Sequence, residues 1–491
     1  MFTTSSMSAS GCGQRLPEIV QWDALSLSRA IHAREVSCRE VMSSYLAHIE
    51  ACNPRVNALV SLQDGERLMA EADERDRELA CGESHGWLHG IPQAIKDLSP
   101  TAGIRTTLGS PLFADQVPTR DGIMVERIKR AGAIVIGKTN TPEFGLGSQT
   151  YNPLFGATRN AFDPARCAGG SSGGAAAALA MRLLPVADGS DMMGSLRNPA
   201  AYHNVFGFRP SFGRVPHGPQ PEVFGHQLAT EGPMGRTVAD VARLLATQAG
   251  PDPRMPLSIV EDPAAFAGDL EGEIRGQRIG WLGDWQGYLP MEPGVLPLCE
   301  RALGTFRELG ADVEAVVPDF DPARLWQAWV TLRQWAVAGN LGEAYLDAAK
   351  RERLKPEAQW EVEGGLALSA LDVHRANLIR SAWYACLLEL FEDYDYLALP
   401  TAQVFPFDVD TPWPRAIAGR RMDTYHRWME VVIPGSLSGC PVISLPAGFS
   451  DAGLPMGIQV IGRHQADLAV LRLARAYEAA NEALLSRRPI D

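Results

Sequence analysis

Two serine-containing turns are the part of this sequence best suited to chemistry. The first is the run GGSSGG at Gly169–Gly174, which leads directly into an alanine-rich helical stretch. Glycines permit backbone conformations that other residues avoid, so a serine in such a loop can be held in an unusual, exposed position. The second turn, SDMMGS at Ser190–Ser195, follows an apolar run that is typical of a strand. Its successive backbone N–H groups can donate hydrogen bonds to an oxyanion, and we expect both turns to lie at one end of a sheet.

A serine nucleophile needs a base, and the first interpretation is a histidine. Gly169–Gly173 satisfies GxSxG, the nucleophile elbow of α/β-hydrolases, in which Ser171 would attack. That fold requires an acid and then a histidine further along the chain. The candidates are His374, His426 and His464, and none of them lies in a glycine-rich loop.

The second interpretation is a lysine base, Lys96, in the apolar run Ile91–Leu98. On a strand, Lys96 shares a face with Ala94 and Leu98, which places it in the interior. Burial disfavours the ammonium form and lowers the pKa of a lysine, so that it can act as a general base near neutral pH. A surface lysine on an edge strand is the alternative that this run leaves open.

Templates for cofactors and metals do not match. The sequence has no phosphate-binding GxxxxGK[ST] loop, and Gly145–Thr150 lacks the third glycine of a dinucleotide loop. His85 and His89 are four residues apart, but no acidic residue stands between them as in a zinc-binding HExxH helix. We therefore expect neither a metal nor an organic cofactor.

Composition excludes several classes of protein. The chain has 491 residues, of which 46% are hydrophobic and 21% charged, as in ordinary soluble globular proteins. A formal charge of −13 argues against a nucleic-acid binder, which needs a basic surface for phosphates. The eight cysteines are scattered without a CxxC pair, which favours a reduced, cytoplasmic compartment.

Neither the N-terminus nor the interior of the sequence predicts contact with a membrane. Residues 1–15 are small and polar, which is typical of a flexible tail rather than of a secretory signal. The most apolar stretch, Gly173–Ala180, is far shorter than the roughly 20 residues of a membrane span.

Local patterns predict an α/β protein. A capping box at Ser37–Glu40 begins a helix over 38–51, and a charged stretch over 64–80 predicts a second helix. Buried strands are predicted at 91–98, 133–138 and 183–189, with a helix at 122–131 between the first two. This alternation indicates a sheet that is covered by helices on both faces.

The later part of the chain differs in kind. Residues from 265 to about 420 begin with a predicted strand and become helical, and nine of the 11 tryptophans fall between 281 and 428. The segment 440–463 predicts two strands around a turn, and a closing helix is expected over 466–482.

Eight segments together resemble the amidase signature family of serine hydrolases. They are GIPQAIKD (90–97), ERIKRAGAIVIGKTNTPEFG (126–145), NPLFGATRN (152–160), GGSSGGAAAALA (169–180), GSDMMGSLRNPA (189–200), FGFRPSFGRV (206–215), CPVISLPAGF (440–449) and GLPMGIQVIGR (453–463). The resemblance runs from about Leu25 to Ala479 and is weakest over 270–420. It implies one domain over 16–491 with a large mixed central β-sheet sandwiched between α-helices. The variable helical region 270–420 would shape the substrate pocket.

The resemblance also implies roles for individual residues. Ser195 is then the nucleophile, Ser171 a bridging serine that follows a cis peptide bond, and Lys96 the base. The oxyanion hole would be formed by backbone N–H groups of the turn before the nucleophile, namely Met192, Met193, Gly194 and Ser195. Asp191 would hold this turn by accepting backbone hydrogen bonds, with Arg197 in a structural role.

Two positions in this comparison bear on the substrate pocket. Met193 stands where the family usually has a glycine, so the residue is strained if this position requires a positive φ. We expect instead that the turn accepts the side chain and that Met193 narrows the acyl pocket. Gly145 falls where some relatives place a residue that lines the acyl pocket.

The resemblance therefore implies an amidase that cleaves a carboxamide, or alternatively a carbamate or an ester, through an acyl-enzyme. Trp326, Trp329 and Trp335 suggest that its small-molecule substrate is apolar or aromatic, although tryptophans at helical spacing also serve as core. The expected partners are this substrate and at most a second copy, as a monomer or homodimer. Two alternatives stay open: a glutamine-dependent amidotransferase subunit that works with partner chains, and a catalytically inactive binding protein.

Overall fold

The computed structural model describes residues 18–225 and 227–489. The tail predicted over 1–15 lies outside the described residues. Of the helices in the described ranges, none combines the length and the hydropathy of a membrane-spanning segment.

The helices alternate with strands in the first half of the chain and dominate its third quarter. They are α1 Glu18–Gln21, α2 Ala24–His32, α3 Cys38–Val56, α4 Gly65–Ala80, α5 Ile123–Arg130, α6 Gly173–Ala180, α7 Arg197–Ala201, α8 Val238–Gln248, α9 Val295–Glu308, α10 Pro322–Leu346, α11 Ala348–Arg351, α12 Pro356–Leu366, α13 Ala370–Asp393, α14 Ile433–Ser438, α15 Asp467–Ala480 and α16 Glu482–Leu485.

The strands are mostly short, and the longest two lie near the C-terminus. They are β1 Leu59–Val60, β2 Pro92–Lys96, β3 Ile134–Thr139, β4 Tyr151–Asn152, β5 Gly156–Ala157, β6 Val186–Asp191, β7 Phe206–Arg209, β8 Thr230–Gly235, β9 Arg278–Trp281, β10 Asp312–Ala315, β11 Tyr396–Pro400, β12 Ala416–Ile417, β13 Arg420–Arg421, β14 Val442–Phe449 and β15 Pro455–Gly462.

An eight-stranded mixed sheet with the order β10-β9-β11-β15-β14-β7-β8-β6 forms the centre of the protein. The pairs β10–β9 and β9–β11 are parallel, whereas the pairs from β11 to β6 are antiparallel. This confirms the predicted α/β class with a large mixed sheet among helices.

The strand that ends in Lys96 and the strand that leads into the second serine turn belong to different sheets. β2 and β3 pair in parallel around α5, as the strand–helix–strand pattern predicts, but they form a separate three-stranded sheet with β1. β6 is instead an edge strand of the large sheet. The two sheets meet where the backbone N–H of Lys96 donates to Asp188 Oδ2 at 3.2 Å.

Local signals place several elements where the sequence predicts them. The side chain of Ser37 accepts from the backbone N–H of Glu40 at 3.1 Å, and the Glu40 carboxylate accepts from the Ser37 N–H at 2.8 Å. This capping box starts α3, which continues to Val56, beyond the predicted end. The closing hairpin β14–β15 and the final long helix α15 are also confirmed.

Small side chains in α6 let this helix pack directly on backbone. A Cβ atom at Gly174 would lie 2.3 Å from the backbone nitrogen of Asn140 and 2.6 Å from the carbonyl oxygen of Ala58. A larger residue at Gly174 therefore does not fit without movement of the backbone. The close contact fixes the N-terminal end of α6, which the serine loop immediately precedes.

Candidate active site

Lys96 lies at the end of β2 in a cage of serine hydroxyls. Its side chain is fully buried, which confirms the interior position predicted from the strand pattern. The Nζ atom lies 2.8 Å from Ser171 Oγ, 2.8 Å from Ser172 Oγ and 3.0 Å from Ser190 Oγ. The cage thus joins the GGSSGG loop to the strand that leads into the second serine turn.

Burial lowers the pKa of Lys96 to about 7, although the negative charges of Asp188, Asp191 and Glu231 act in the opposite direction. A substantial fraction of the side chain is therefore neutral at physiological pH. A neutral amine offers two N–H donors and one lone pair. The carbonyl oxygen of Ser190, 3.3 Å away, can only accept a hydrogen bond. The lone pair is thus able to accept the hydroxyl proton of a neighbouring serine.

The loop that carries Ser171 is held on both sides. A cis peptide bond joins Gly170 to Ser171, as the resemblance implies. The N–H of Gly170 donates to Asn198 Oδ1 at 3.0 Å, and the hydroxyl of Thr150 donates to the Gly169 carbonyl at 2.8 Å. Ser171 is consequently fixed against Lys96 with only 3% of its surface exposed.

The second serine turn lies beside the first, which confirms the predicted juxtaposition. The backbone N–H of Ser172 donates to the Ser195 carbonyl at 3.3 Å. Ser195 follows β6 within four residues and retains 7% of its surface accessible. The nucleophile candidate, the bridging candidate and the buried lysine therefore occupy one site.

A buried carboxylate organises this second turn. Asp191 accepts hydrogen bonds from the backbone N–H groups of Gly194 at 2.8 Å and Leu196 at 3.2 Å. It also pairs with Arg197 at 2.9 Å and with Arg209 at 3.2 Å. Burial alone raises the pKa of Asp191, but the two arginines outweigh it and hold this pKa far below its usual range. The predicted backbone hydrogen bonds to Asp191 are confirmed, and Arg197 contacts the same carboxylate.

Arg197 connects the turn to the C-terminal part of the chain. Its guanidinium donates to Gln459 Oε1 at 2.6 Å, to the Val432 carbonyl at 3.1 Å and to Ser436 Oγ at 2.7 Å. These partners lie on β15 and around α14. The turn is therefore fixed by contacts with distant elements as well as within itself.

The methionine that replaces a family glycine carries no backbone strain. Met193 adopts a negative φ, whereas the neighbouring Gly194 has a φ of +80°. A Cβ atom at Gly194 would also lie 3.0 Å from both methyl groups of Val432. The position that requires glycine is thus Gly194, and the Met193 side chain packs into the interior.

Gly145 lies against Ser171. Its φ is +68°, and a Cβ atom there would stand 3.5 Å from Ser171 Oγ and 2.8 Å from Leu98 Cδ1. The position assigned to the acyl pocket is therefore at the site, and a side chain on it would crowd Ser171.

A buried polar cluster beside the turn is not apparent from the sequence. Arg333 on α10 donates to Glu361 Oε1 at 2.6 Å, to the hydroxyl of Tyr425 at 2.8 Å and to Met192 Sδ at 3.3 Å. The one available signal is that Arg333 lies one helical turn after Trp329, on a face that is otherwise apolar. The sequence does not indicate the partners of Arg333, because Glu361, Tyr425 and Met192 lie in other parts of the chain.

A cavity of about 560 Å³ begins at Met192. Its apolar lining includes Phe212, Leu228, Met255 and Trp335, and its polar lining includes His217, Gln220, Glu222, Asn340 and Glu343. Trp335 thus faces the cavity, while Trp329 is fully buried and Trp326 packs against the ring of His426 at 5.1 Å.

The histidine-based interpretation finds no support in this geometry. Ser171 Oγ accepts a hydrogen bond from Lys96, and not from one of these three histidines. His374 and His464 are exposed. His426 is buried and stacked on Tyr425, and desolvation lowers its pKa well below the ordinary value.

The two histidines considered as metal ligands do gain an acidic neighbour, Glu78, from α4. The spacing of His85 and His89 in the sequence does not reveal Glu78, because the fold rather than the local sequence brings this residue next to them. However, Arg75 Nη1 lies 2.6 Å from Glu78 Oε2 and 3.0 Å from His85 Nε2. An arginine therefore supplies the positive charge within this cluster.

A family model described as Amidase matches residues 40–471. The chain belongs to the amidase family. It is 34% identical over 470 residues to an acylamidase of Rhodococcus erythropolis, covering 95% of this chain and 97% of that protein. It is 36% identical over 490 residues to a glutamyl-tRNA(Gln) amidotransferase subunit of Thermus thermophilus, covering 94% and 99% of the two chains. A bacterial aryl acylamidase of the amidase signature enzymes has a similar structure, with a TM-score of 0.89, 30% identity and coverage of 96% and 99%.

The role of Asp191 can be tested by Asp191→Asn. We expect a loss of about 3–5 kcal/mol in the free energy of unfolding, because two buried arginines lose their counter-charge. Denaturant-induced unfolding measures this loss, and Asp423→Asn, which removes an exposed carboxylate 3.5 Å from Arg427, serves as the control. Equal unfolding midpoints for the two variants would show that Asp191 does not organise the turn.

Proposed function

We propose that this amidase family member hydrolyses a carboxamide, or alternatively a carbamate or an ester, through an acyl-enzyme on Ser195. The observation that carries the proposal is the contact of a fully buried, low-pKa Lys96 with Ser171, next to the turn that contains Ser195. Amide substrates suit a lysine base, since the same group can afterwards protonate a poor amine leaving group.

In the acylation step, neutral Lys96 accepts the hydroxyl proton of Ser171 while Ser171 accepts that of Ser195. The Ser195 oxygen then forms a bond to the substrate carbonyl carbon, and the negative charge moves to the carbonyl oxygen. The backbone N–H groups of Met192, Met193 and Ser195 are the proposed donors to this oxyanion. The N–H of Gly194, which the resemblance also implied as a donor, instead donates to Asp191 Oδ1 at 2.8 Å. Collapse of the intermediate breaks the C–N bond, and the proton held by Lys96 returns through Ser171 to the amine.

Deacylation repeats the relay with water in place of Ser195. Water gives its proton through Ser171 to Lys96, its oxygen bonds to the acyl carbon, and Ser195 leaves with the returned proton. Asp191 takes no proton in either step, because Arg197 and Arg209 keep it ionised. The chain's own side chains and backbone thus supply nucleophile, base and oxyanion donors.

The cavity at Met192 supports a small apolar or aromatic substrate. Met192, Phe212, Leu228, Met255 and Trp335 offer a largely apolar wall beside the proposed oxyanion turn. Methionine side chains adapt to the shape of a ligand, and an aromatic ring can stack on Trp335.

A second candidate function is a glutamine-dependent amidotransferase subunit, which the similarity to the Thermus thermophilus protein favours. Gel filtration of the isolated chain, followed by assays with an anilide and with glutamine, distinguishes the two. An amidase hydrolyses the anilide without any other chain, whereas a dependent subunit releases ammonia from glutamine only when partner chains are added.

The nucleophile is tested by Ser195→Ala. We expect kcat to fall by about 10⁶ and labelling by a fluorophosphonate to disappear, because the acyl-accepting oxygen is gone. Peptide mapping of the labelled wild type should place the adduct on Ser195. Ser43→Ala, at an exposed serine of α3, is the control and should keep full activity. Labelling at Ser171, together with an active Ser195→Ala variant, would restore the α/β-hydrolase interpretation.

The proposed base predicts the pH dependence. Only neutral Lys96 can accept a proton, so kcat/KM should rise about tenfold per pH unit below pH 7 and level off above it. The unfolded chain binds more protons at this lysine between about pH 7 and 10.5, so its contribution to stability also increases with pH over that window. Lys96→Ala should remove the activity, whereas Lys350→Ala should keep the profile. A flat profile from pH 5 to 9 would exclude Lys96 as the base.

The cavity predicts a preference among substrates. We expect kcat/KM for benzanilide to exceed that for acetamide at least about a hundredfold, because each apolar contact contributes roughly 1 kcal/mol. Trp335→Ala should lower this ratio about tenfold, and Trp413→Ala, whose ring instead contacts Arg415, should not. Equal values for the two amides would show that the cavity does not bind the substrate.

A further inference from the structure

The side chain of Met192 is held by an arginine from a distant helix. Arg333 on α10 donates from Nη1 to Met192 Sδ at 3.3 Å. Met192 lines the cavity next to the second serine turn. Methionine is unbranched and flexible, so its side chain ordinarily adapts to whatever packs against it. A hydrogen bond to the sulfur restricts this freedom, provided that the donor is itself fixed.

The guanidinium of Arg333 is fixed by two further contacts. Its Nε donates to Glu361 Oε1 at 2.6 Å, and its Nη2 donates to the Tyr425 hydroxyl at 2.8 Å. That hydroxyl donates in turn to the same Glu361 oxygen at 2.6 Å, which closes a ring of three hydrogen bonds. Because a guanidinium is planar and rigid, these contacts also determine the direction of Nη1. The donor to Met192 is therefore held in place.

Burial makes this cluster stronger than an exposed one would be. Arg333 is 3% exposed and Glu361 is fully buried. Burial alone lowers the pKa of Arg333, but Tyr425 and Glu361 outweigh it and hold this pKa above its usual range. The guanidinium is thus a permanent cation. A charged donor binds a weak acceptor such as a thioether more strongly than a neutral donor does.

Close packing of two helices brings Glu361 to Arg333. A Cβ atom at Gly365 on α12 would overlap the carbonyl oxygen of Gln334 on α10, and a Cβ atom at Gly364 would overlap the Gln334 side chain. Larger residues at the two glycines would force the helices apart. Glu361 lies four residues before Gly365 and thus on the same face of α12. The position of the cluster is therefore set by helix-to-helix contact.

We propose that Arg333 is a positioning residue for substrate specificity, which fixes the Met192 side chain and thereby the shape of the cavity wall. This role rests on the proposed function, in which the cavity receives the substrate. The described lining of the cavity does not include Arg333, so its effect passes through Met192. A fixed wall distinguishes substrates of equal apolar surface by the position of their substituents, whereas a mobile methionine accommodates all of them.

A second cluster of the same composition provides a matched control. Arg427 donates from Nε to Glu430 Oε2 at 2.6 Å and from Nη2 to the Tyr288 hydroxyl at 3.2 Å. This hydroxyl donates to Glu430 Oε1 at 2.8 Å. None of these three residues belongs to the described lining of the cavity. Arg427→Lys therefore makes the same chemical change without affecting Met192.

The test compares isomers of benzanilide that carry one methyl group at the ortho, meta or para position of either ring. Their apolar surfaces are nearly equal, and the electronic effect of each methyl group is the same in every variant. A change in the spread of kcat/KM between variants therefore reports the shape of the cavity. We expect a spread of at least about tenfold for the wild type, as fixed apolar pockets produce for one misplaced carbon atom.

Arg333→Lys keeps a positive charge beside Glu361 but lacks the branch that reaches Met192. It should reduce the spread to about threefold, because the methionine becomes mobile. Acetamide is too small to reach the wall, so its kcat/KM should stay within about twofold of the wild type. Arg427→Lys should keep the wild-type spread. Circular dichroism melting curves establish that each variant is folded.

A double-mutant cycle tests whether Arg333 acts through Met192. Met192→Leu removes the sulfur acceptor at nearly the same volume and leaves Arg333 in place. Adding Arg333→Lys to Met192→Leu should change the relative kcat/KM of the isomers no further, because the contact is already lost. A purely structural role of Arg333 would give the same effect with and without the methionine.

The outcomes separate this role from the proposed function. A wild type that hydrolyses neither acetamide nor benzanilide overturns the proposed function and this role with it. In an active enzyme, a wild type that does not distinguish the isomers, or an Arg333→Lys variant with an unchanged spread, overturns the role of Arg333 alone. It is also overturned by an equal loss for all isomers and acetamide, by equal narrowing in Arg427→Lys, or by an effect that persists after Met192→Leu.

Discussion

The Asp191 carboxylate places a full negative charge in the interior, and the geometry of the site depends on how that charge is compensated. Two arginines and two backbone N–H groups surround it, so both oxygens are satisfied. Because Gly194 and Leu196 donate to the same carboxylate, the chain between them cannot relax without exposing an unpaired charge. The turn that presents Ser195 is rigid for this electrostatic reason.

Lys96, in contrast, has no ion pair to compensate its charge directly. No carboxylate touches its ammonium nitrogen in the described residues, where hydroxyls and a carbonyl surround it instead. Neutral dipoles compensate a charge less well than an ion pair, so desolvation dominates and the pKa falls. One strand, β6, thus leads from Asp188, near the lysine, to Asp191, which remains ionised. The site thus combines a lysine that is partly neutral near pH 7 with a carboxylate that stays ionised.

Local elements could be predicted from the sequence, because capping, periodicity and turns are encoded by neighbouring residues. The start of α3 at Ser37, the buried run ending in Lys96 and the closing hairpin are examples. The placement of β2 and β6 in different sheets could not be predicted, since it depends on long-range pairing. The cluster of Arg333 with Glu361 was missed for the same reason. The proposed roles of Ser171 and Ser195 come only from the resemblance to a family, because GxSxG alone points to Ser171 as the nucleophile.

The order of strands in the large sheet has a consequence for biosynthesis. Lys96, Ser171 and Ser195 are all made in the first half of translation, yet β14 and β15 occupy the middle of the sheet and are made last. Two of the partners of Arg197, Ser436 and Gln459, also come from this final part of the chain. A nascent chain that already contains these three residues therefore cannot complete its sheet until the last strands leave the ribosome. Premature termination removes strands from the centre of the sheet rather than from its edge.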